Sequence, residues 1–246
     1  MFSFFEKKKF LVDYLGGFVD IHNHILPGID DGAKTVHDSI ALIKGFSEIG
    51  ITNFICTPHI MHNYYNNTPK TIKKSYKTLK QALKKENIGD IKVDYAAEHM
   101  IDDNFEFILE KGEVLPIGGQ NLLIEMSFLQ PSINFDVSIQ KITSKGYFPI
   151  LAHPERYFFF HNDFQVYQKL KKQNILFQIN LLSLTGYYGS EIKNIAIKLL
   201  DKGLIDFLGS DMHNISQLKA IKDAKLPVNL LEKINTVIVH TIEHFH

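Results

Sequence analysis

FVDIHNH, residues 18–24, is an apolar stretch that runs straight into two histidines, His22 and His24. Behind it ILPGIDDG, residues 25–32, makes a Pro/Gly/Asp turn that carries two carboxylates. The same arrangement recurs along the chain. ITNFICTPH ends in His59, VDYAAE in Glu98, LLIE in Glu125 and YFPILAH in His153. IDFLGSDMH adds Asp211 and His213. Imidazoles and carboxylates placed just past apolar strands are what a β/α barrel uses to gather divalent metals at one mouth.

Between these segments the pattern turns helical. Strands are expected at 17–21, 51–56, 92–97, 122–124, 148–151, 175–179 and 206–208. A helix is expected at 36–49, capped by Thr35 and stopped by Gly50. Another is expected at 69–86, with Thr68 as cap and Pro69 at the first helical position. Shorter helices are expected near 102–110, 135–145, 164–172 and 191–202. From about Ser216 the end reads as helical, with a break at Pro227. Seven strands alternating with helices argue a parallel sheet with helices outside. An open sheet has one crevice at its switch point and would not focus six strand ends on one place. The ligand pattern therefore favours an α/β barrel of seven strands.

The 246 residues suit one such domain, and 45% hydrophobic content supplies its core. Acidic and basic residues balance at 27 each, so no global field favours nucleic acid. Cys56 is the single cysteine, which excludes an intrachain disulfide and suits a reducing compartment. The start, MFSFFEKKKFLVDYLGG, is broken by Glu6–Lys9 and Asp13 and lacks the apolar core of a signal peptide. No apolar run is long enough for a membrane span. A soluble cytoplasmic protein, without membrane insertion, is expected.

His-x-His at a strand end puts two imidazoles on one side of the chain. With Asp31, His59, Glu98, Glu125, His153, Asp211 and His213 the candidate donors number nine, five His and four carboxylates. That is too many for one ion and suits two or three, with carboxylates bridging. The absence of cysteine among them argues against a Cys-type structural zinc site. Three divalent ions against four carboxylates would leave a charge of about +2. Such a centre suits a phosphate dianion, attacked in line by a water that the ions activate. Against 26 lysines the chain has one arginine, Arg156, three residues after His153. A guanidinium can clamp phosphate through two parallel hydrogen bonds; the alternative is an ordinary ion pair.

The remaining histidines carry weaker signals. His37 lies on a helix face. His99 should point away from Glu98. His62 lies in the polar, aromatic loop 59–69, which could cover the site and meet substrate. His161 follows an aromatic run. His240, His244 and His246 read as a frayed tail. Cys56 has His62, not arginine, six positions later, which excludes the cysteine-phosphatase loop; it reads as a packed apolar residue.

The segments HNHILPGIDDG, CTPH, AAEHM, LIEMSF, LAHPERY and GSDMHN, in this order and spacing, resemble the polymerase and histidinol phosphatase (PHP) superfamily. Within it they look closest to the bacterial tyrosine-protein phosphatases of capsule and exopolysaccharide clusters. The resemblance runs from about Phe18 to the C-terminus. It implies a distorted (β/α)7 barrel in residues 17–246, after an extension at 1–16 that lies outside the match. It implies up to three metals, commonly manganese, with Fe2+ or Zn2+ as alternatives. It implies dephosphorylation of phosphotyrosine segments on an autophosphorylating kinase that controls polysaccharide synthesis. Residue by residue it gives the nine donors above as metal ligands, Arg156 as substrate-binding and catalytic, and Asp211 and His213 as catalytic. Some relatives have a second arginine after the DMHN segment. Here Asn214–Lys222 has none, so either Lys219 substitutes or Arg156 acts alone.

Two other readings compete. One is a small-molecule phosphoesterase such as a histidinol phosphatase, against which DDGAKT and SDMHN speak by resemblance. The other is a non-catalytic metal-binding or docking module, against which the complete donor set speaks. A polymerase-associated exonuclease fits poorly with one domain and no basic surplus.

Overall fold

The computed structural model describes residues 7–88 and 90–246. In chain order its strands are β1 (Lys8–Phe10), β2 (Val19–Asp20), β3 (Asn53–Cys56), β4 (His59–Ile60), β5 (Lys92–Tyr95) and β6 (Glu98–Met100), followed by β7 (Asn121–Glu125), β8 (Phe148–Ala152), β9 (Leu176–Asn180), β10 (Phe207–Gly209) and β11 (Lys225–Pro227). The helices are α1 (Val36–Ser47), α2 (Pro69–Lys85), α3 (Phe105–Glu110), α4 (Phe135–Ser144) and α5 (Phe158–His161), then α6 (Gln165–Lys172), α7 (Leu181–Thr185), α8 (Ser190–Asp201), α9 (Ile215–Asp223) and α10 (Val228–Phe245).

The expected single ring of seven strands appears as two parallel ladders. One is six-stranded, in the order β10-β9-β8-β7-β6-β4; the other is β2-β3-β5. The reason lies in two interruptions. Pro58 has no N–H to give, and the Ala97 N–H donates to Leu115 O at 3.1 Å instead of to a neighbouring strand. Bonds still cross the breaks, from Ala96 N to Cys56 O and from Glu98 N to Pro58 O. β3 therefore runs on into β4, and β5 into β6, changing ladder as they go. At the opposite edges a parallel bridge joins Asn23 to Met212.

Alternation along the strands sorts the core. Leu123, Ile150, Ala152 and Phe207 pack into an inner cluster with Val19 and Ile21. Leu122, Ile124, Leu151 and Leu208 pack outward against the helices. Glu125 shares the inward parity of Leu123, so the end of β7 aims a carboxylate into the interior.

The helices form where their caps predict. Thr35 and Asp38 make a reciprocal capping box on α1, and Thr68 and Thr71 do the same on α2. Along α2, Ile72, Leu79 and Leu83 are buried, each worth about 1.5–3 kcal/mol of apolar burial. Its outer face carries Lys70, Lys73, Lys74, Lys77, Lys80, Lys84 and Lys85, all exposed.

Other features depart from expectation. α7 follows β9 directly, in an apolar run that reads equally as strand. The break at Pro227 is the end of β11, which pairs antiparallel with β1. Leu11 and Leu15, inside the stretch grouped as an extension, are buried in the core, while residues 1–6 lie outside the described part. The C-terminus is not frayed as expected. α10 continues to Phe245, and His240 and His244 rest on the Phe207 ring at 5.4 and 5.0 Å between centroids.

Candidate metal centre

All nine candidate donors converge in one region. Four overlapping groups form: His24, Asp31, His59 and His213; His22, His24 and Asp211; His22, Glu98 and His153; His59, Glu98 and Glu125. Glu98, His22, His24 and His59 each belong to two groups, which suits bridged ions better than a single one.

The backbone is shaped to bring them together. His153 and Asp211 adopt left-handed conformations, at φ 37° and 52°, turning each chain inward as its strand ends. In the DDG turn, a Cβ on Gly32 would stand 2.0 Å from the His24 carbonyl oxygen. Only glycine lets this turn fold back onto His24 and place both aspartates there. The two then divide the work. Asp30 accepts from His24 Nδ1 at 2.9 Å and from the Gly32 N–H. Asp31 reaches the cavity, with Oδ1 3.4 Å from Nε2 of both His59 and His213.

Three imidazoles have their orientation set by an acceptor at Nδ1. His22 Nδ1 donates to Gln178 Oε1 at 2.6 Å, His24 Nδ1 to Asp30, and His213 Nδ1 to the Asp211 carbonyl at 2.9 Å. In the neutral ring, the form a metal ligand takes, each Nε2 then has its lone pair to offer. Nε2 of His22 and His24 lie 3.4 Å apart and both face Asp211 Oδ1 at 3.4 Å. Holding the far nitrogen in this way is how a metal-ligating histidine is oriented.

The donor set passes a second test. His59 Nδ1, Glu98 Oε2 and Glu125 Oε1 are buried and make no hydrogen bond. His59 Nδ1 nevertheless sits 2.8 Å from Glu125 Oε1 and 3.1 Å from Glu98 Oε2. Buried donor atoms that converge without hydrogen-bond geometry are costly unless a cation lies among them.

Charge follows the same logic. Burial alone would push the Glu98 carboxyl up, but His22, His59 and His153 around it hold it well below the usual carboxylate range. Asp211 is likewise buried and held down, by His22, His24 and His213. These two carboxylates stay ionised, as ligands must.

Beside these donors lies a cavity of about 320 Å³, walled by Asp31, His59, Glu125, His153, Asp211 and His213 on one side and by Phe128, Arg156, Tyr188, Asn214 and Gln217 on the other. Arg156 lies between two rings, its guanidinium carbon 4.5 Å from each of Phe128 and Tyr188. Its Nη1 donates to Asp211 Oδ2 at 2.8 Å. Both sequence readings of Arg156, ion pair and cavity cation, describe the same side chain. Lys219 is exposed and does not line the cavity.

His62 does not join this wall. Its backbone N–H donates to Asp102 Oδ2, and it lines the neighbouring cleft. His99 points away as expected, bonded through Nδ1 to Leu123 O and accepting at Nε2 from Leu115 N; burial lowers its pKa to about 4. Cys56 is fully buried, which pushes its thiol pKa up and leaves it inert.

Sequence reasoning missed the supporting residues. Gln178 orients His22; Asn180 accepts from Gln178 and donates to Asp211 Oδ2 at 2.7 Å. Their signal is present in LFQIN, where two polar residues at alternating positions interrupt an apolar strand. Asp20 accepts from Ser210 N and Oγ and so ties the end of β2 to the end of β10. On β10, a Cβ on Gly209 would meet the His22 Cβ at 2.6 Å, so glycine makes room for the His22–Gln178 pair.

Known proteins share this fold. The tyrosine-protein phosphatase YwqE of Bacillus subtilis is 32% identical over 198 residues, covering 80% of this chain and 78% of that protein. A crystal structure from a study of YwqE and Streptococcus pneumoniae CpsB, described as unique metal-dependent tyrosine phosphatases, superposes with a TM-score of 0.81 at 29% identity, covering 92% and 93%. A histidinol phosphate phosphatase from Lactococcus lactis, solved with zinc, L-histidinol and phosphate, shares the fold at TM-score 0.52 and 14% identity, covering 94% and 95%. Residues 18–233, which carry every one of the nine donors and Arg156, match the family described as capsular polysaccharide synthesis, CpsB/CapC, and the chain belongs to that family.

Proposed function

We propose that this protein is a metal-dependent protein-tyrosine phosphatase. Its substrate would be a phosphotyrosine segment on a bacterial tyrosine kinase that regulates capsule or exopolysaccharide synthesis. The observation that carries the reading is the pairing of nine convergent donors with one guanidinium across a single cavity. The donor set suits two or three divalent ions, with Mn2+ the first choice and Fe2+ or Zn2+ the alternatives. Bound there, such ions would supply the Lewis acidity that activates a water and screens phosphoryl charge.

The chain's own residues supply the rest. Arg156 spends one N–H on Asp211 and has others for phosphoryl oxygens at the cavity wall. The flanking rings of Phe128 and Tyr188 keep its plane fixed, so little freedom is lost on binding. Asp211 faces His22 and His24 with Oδ1 and Arg156 with Oδ2, coupling the anion clamp to the metal ligands. His213, with its proton held on Nδ1, presents Nε2 beside Asp31. The bridge at Asn23 and Met212, with the strands shared between ladders, supports one distorted seven-stranded barrel over residues 17–246. A lone buried thiol suits the cytoplasm, and no helix among the described residues is long and apolar enough to cross a membrane.

The test compares turnover of a phosphotyrosine peptide and of histidinol phosphate with added manganese. Preference for the peptide and loss of activity on chelation are expected. Equal or inverted preference would replace this reading with a small-molecule phosphoesterase. Metal binding without turnover of either would leave a docking module.

A further inference from the structure

A second cleft adjoins the metal cavity and differs from it in every respect. It measures about 630 Å³, roughly twice the other, and its floor and walls include Met61, Tyr64, Met100, Leu129 and Ile133. Three of these stand almost bare: Tyr64 is 78% exposed, Leu129 91% and Ile133 95%. Large apolar side chains left so open in one place mark an interaction site.

The cleft is continuous with the centre through the chain itself. His59 and Glu98 open the short strands β4 and β6, and Glu125 closes β7. The segments that follow them build the cleft: Met61, His62 and Tyr64, then residues 100–103, then Ser127 with residues 129–134. One loop serves both sides: Phe128 faces the metal cavity, and its neighbours Ser127 and Leu129 face the cleft. The three loops are fastened together. Asp102 Oδ2 accepts from His62 N at 2.8 Å, and Ser132 Oγ donates to Ile101 O at 2.7 Å. The wall is thus preformed, which lowers the entropy cost of binding. Its formal charges are Asp102 and Asp103; no lysine or arginine lines it.

We infer that this cleft binds the polypeptide flank of the phosphotyrosine, an extended segment bearing apolar side chains and neutral or basic rather than acidic residues. The inference rests on the phosphatase reading above. A phosphotyrosine held at Arg156 leaves its chain at the cavity mouth, where the loops past β4, β6 and β7 present the apolar wall. Apolar side chains find Leu129, Ile133 and Met61; acidic ones meet Asp102 and Asp103. The cleft would thereby select among phosphotyrosines by their neighbours, which the metal cavity cannot do.

The experiment uses the full chain with manganese and three substrates: free phosphotyrosine, a phosphopeptide flanked by leucine and lysine, and one flanked by glutamate. In the wild type, kcat/KM should be highest for the first peptide. In Leu129→Ser/Ile133→Ser, its advantage over free phosphotyrosine should shrink about five- to tenfold, as expected when two side chains lose apolar contact. In Asp103→Lys, preference should shift about fivefold toward the glutamate peptide, more at low salt. An unchanged ratio in both variants, with the wild type active on phosphotyrosine, overturns the cleft and spares the phosphatase reading. A wild type inactive on all three overturns both. An unchanged ratio, with a change in oligomeric state on Leu129→Ser/Ile133→Ser, assigns the patch to a second copy of the chain instead.

Discussion

Two groups of histidines occupy opposite ends of the strands, and only one is built for metal. His22, His24, His59, His153 and His213 lie together among Asp31, Glu98, Glu125 and Asp211. His240 and His244 lie on α10 beside Phe207, at the start of β10, with Asn121 at the start of β7 nearby. In the first group His22, His24 and His213 have Nδ1 held by acceptors, and all five rings face carboxylates. The second has one ring stacked on Phe207, with Nδ1 bonded to Asp206 O, and forms no ion pair with a carboxylate among the described residues. Spacing on a helix would have suited a metal pair equally well. What separates the groups is the company each ring keeps.

The hardest blow to that distinction falls on Glu98, which belongs to two of the four donor groups. Glu98→Gln should empty the centre and lower turnover by more than the ~10–100-fold that loss of a supporting partner costs. Elemental analysis beside kinetics checks it; full metal occupancy would remove Glu98 from the ligands.

Next comes Arg156→Lys, expected to keep its metal and lose ~10²–10³ in turnover, because an ammonium cannot copy a two-pronged contact. Near-native turnover would reduce Arg156 to a partner of Asp211.

Gln178→Leu sharpens the comparison from behind the ligands. It removes the acceptor that orients His22, and metal affinity should drop ~10–100-fold. Titration of metal into the apo variant reads this directly, and an unshifted affinity would make the Gln178 bond incidental.

At the other end His240→Ala should leave metal content and turnover alone. It should cost about 0.5–1.5 kcal/mol of stability, from loss of the ring stacked on Phe207. A thermal midpoint measures that; any loss of metal would erase the contrast between the two groups.

Most of the centre was legible because it obeys alternation: an apolar strand, then a donor. The choice of Asp31 over Asp30 rests on the DDG match rather than on alternation, and only the fold shows that Asp30 holds His24. Gln178 and Asn180 were passed over because a polar residue inside a strand advertises no chemistry until its neighbour across the sheet is known. β1 and β11 escaped because they are short and pair across more than two hundred residues, a contact no local pattern encodes. His62 and Lys219 sit near the motifs in sequence, but the loop and α9 carry their side chains elsewhere. The ladders diverge from a simple ring at Pro58 and Ala97. Proline signals such a break in the sequence; an alanine whose N–H turns to a loop does not.

The lysine face of α2 has a consequence for the molecule at long range. The chain has zero formal net charge, yet seven lysines line one helix, with no acidic residue from Pro69 to Lys85. None of the seven appears among the ion pairs of the described residues. A neutral sum therefore conceals a strong dipole, with a positive lobe over α2. Such a protein should be retained on a cation exchanger near its isoelectric point and released as the Debye length falls below about 10 Å. Reversing three of these lysines to glutamate should abolish retention, whereas retention that survives would place the positive lobe elsewhere. In solution the same dipole would turn the molecule as it nears any anionic surface, so that α2 leads the approach.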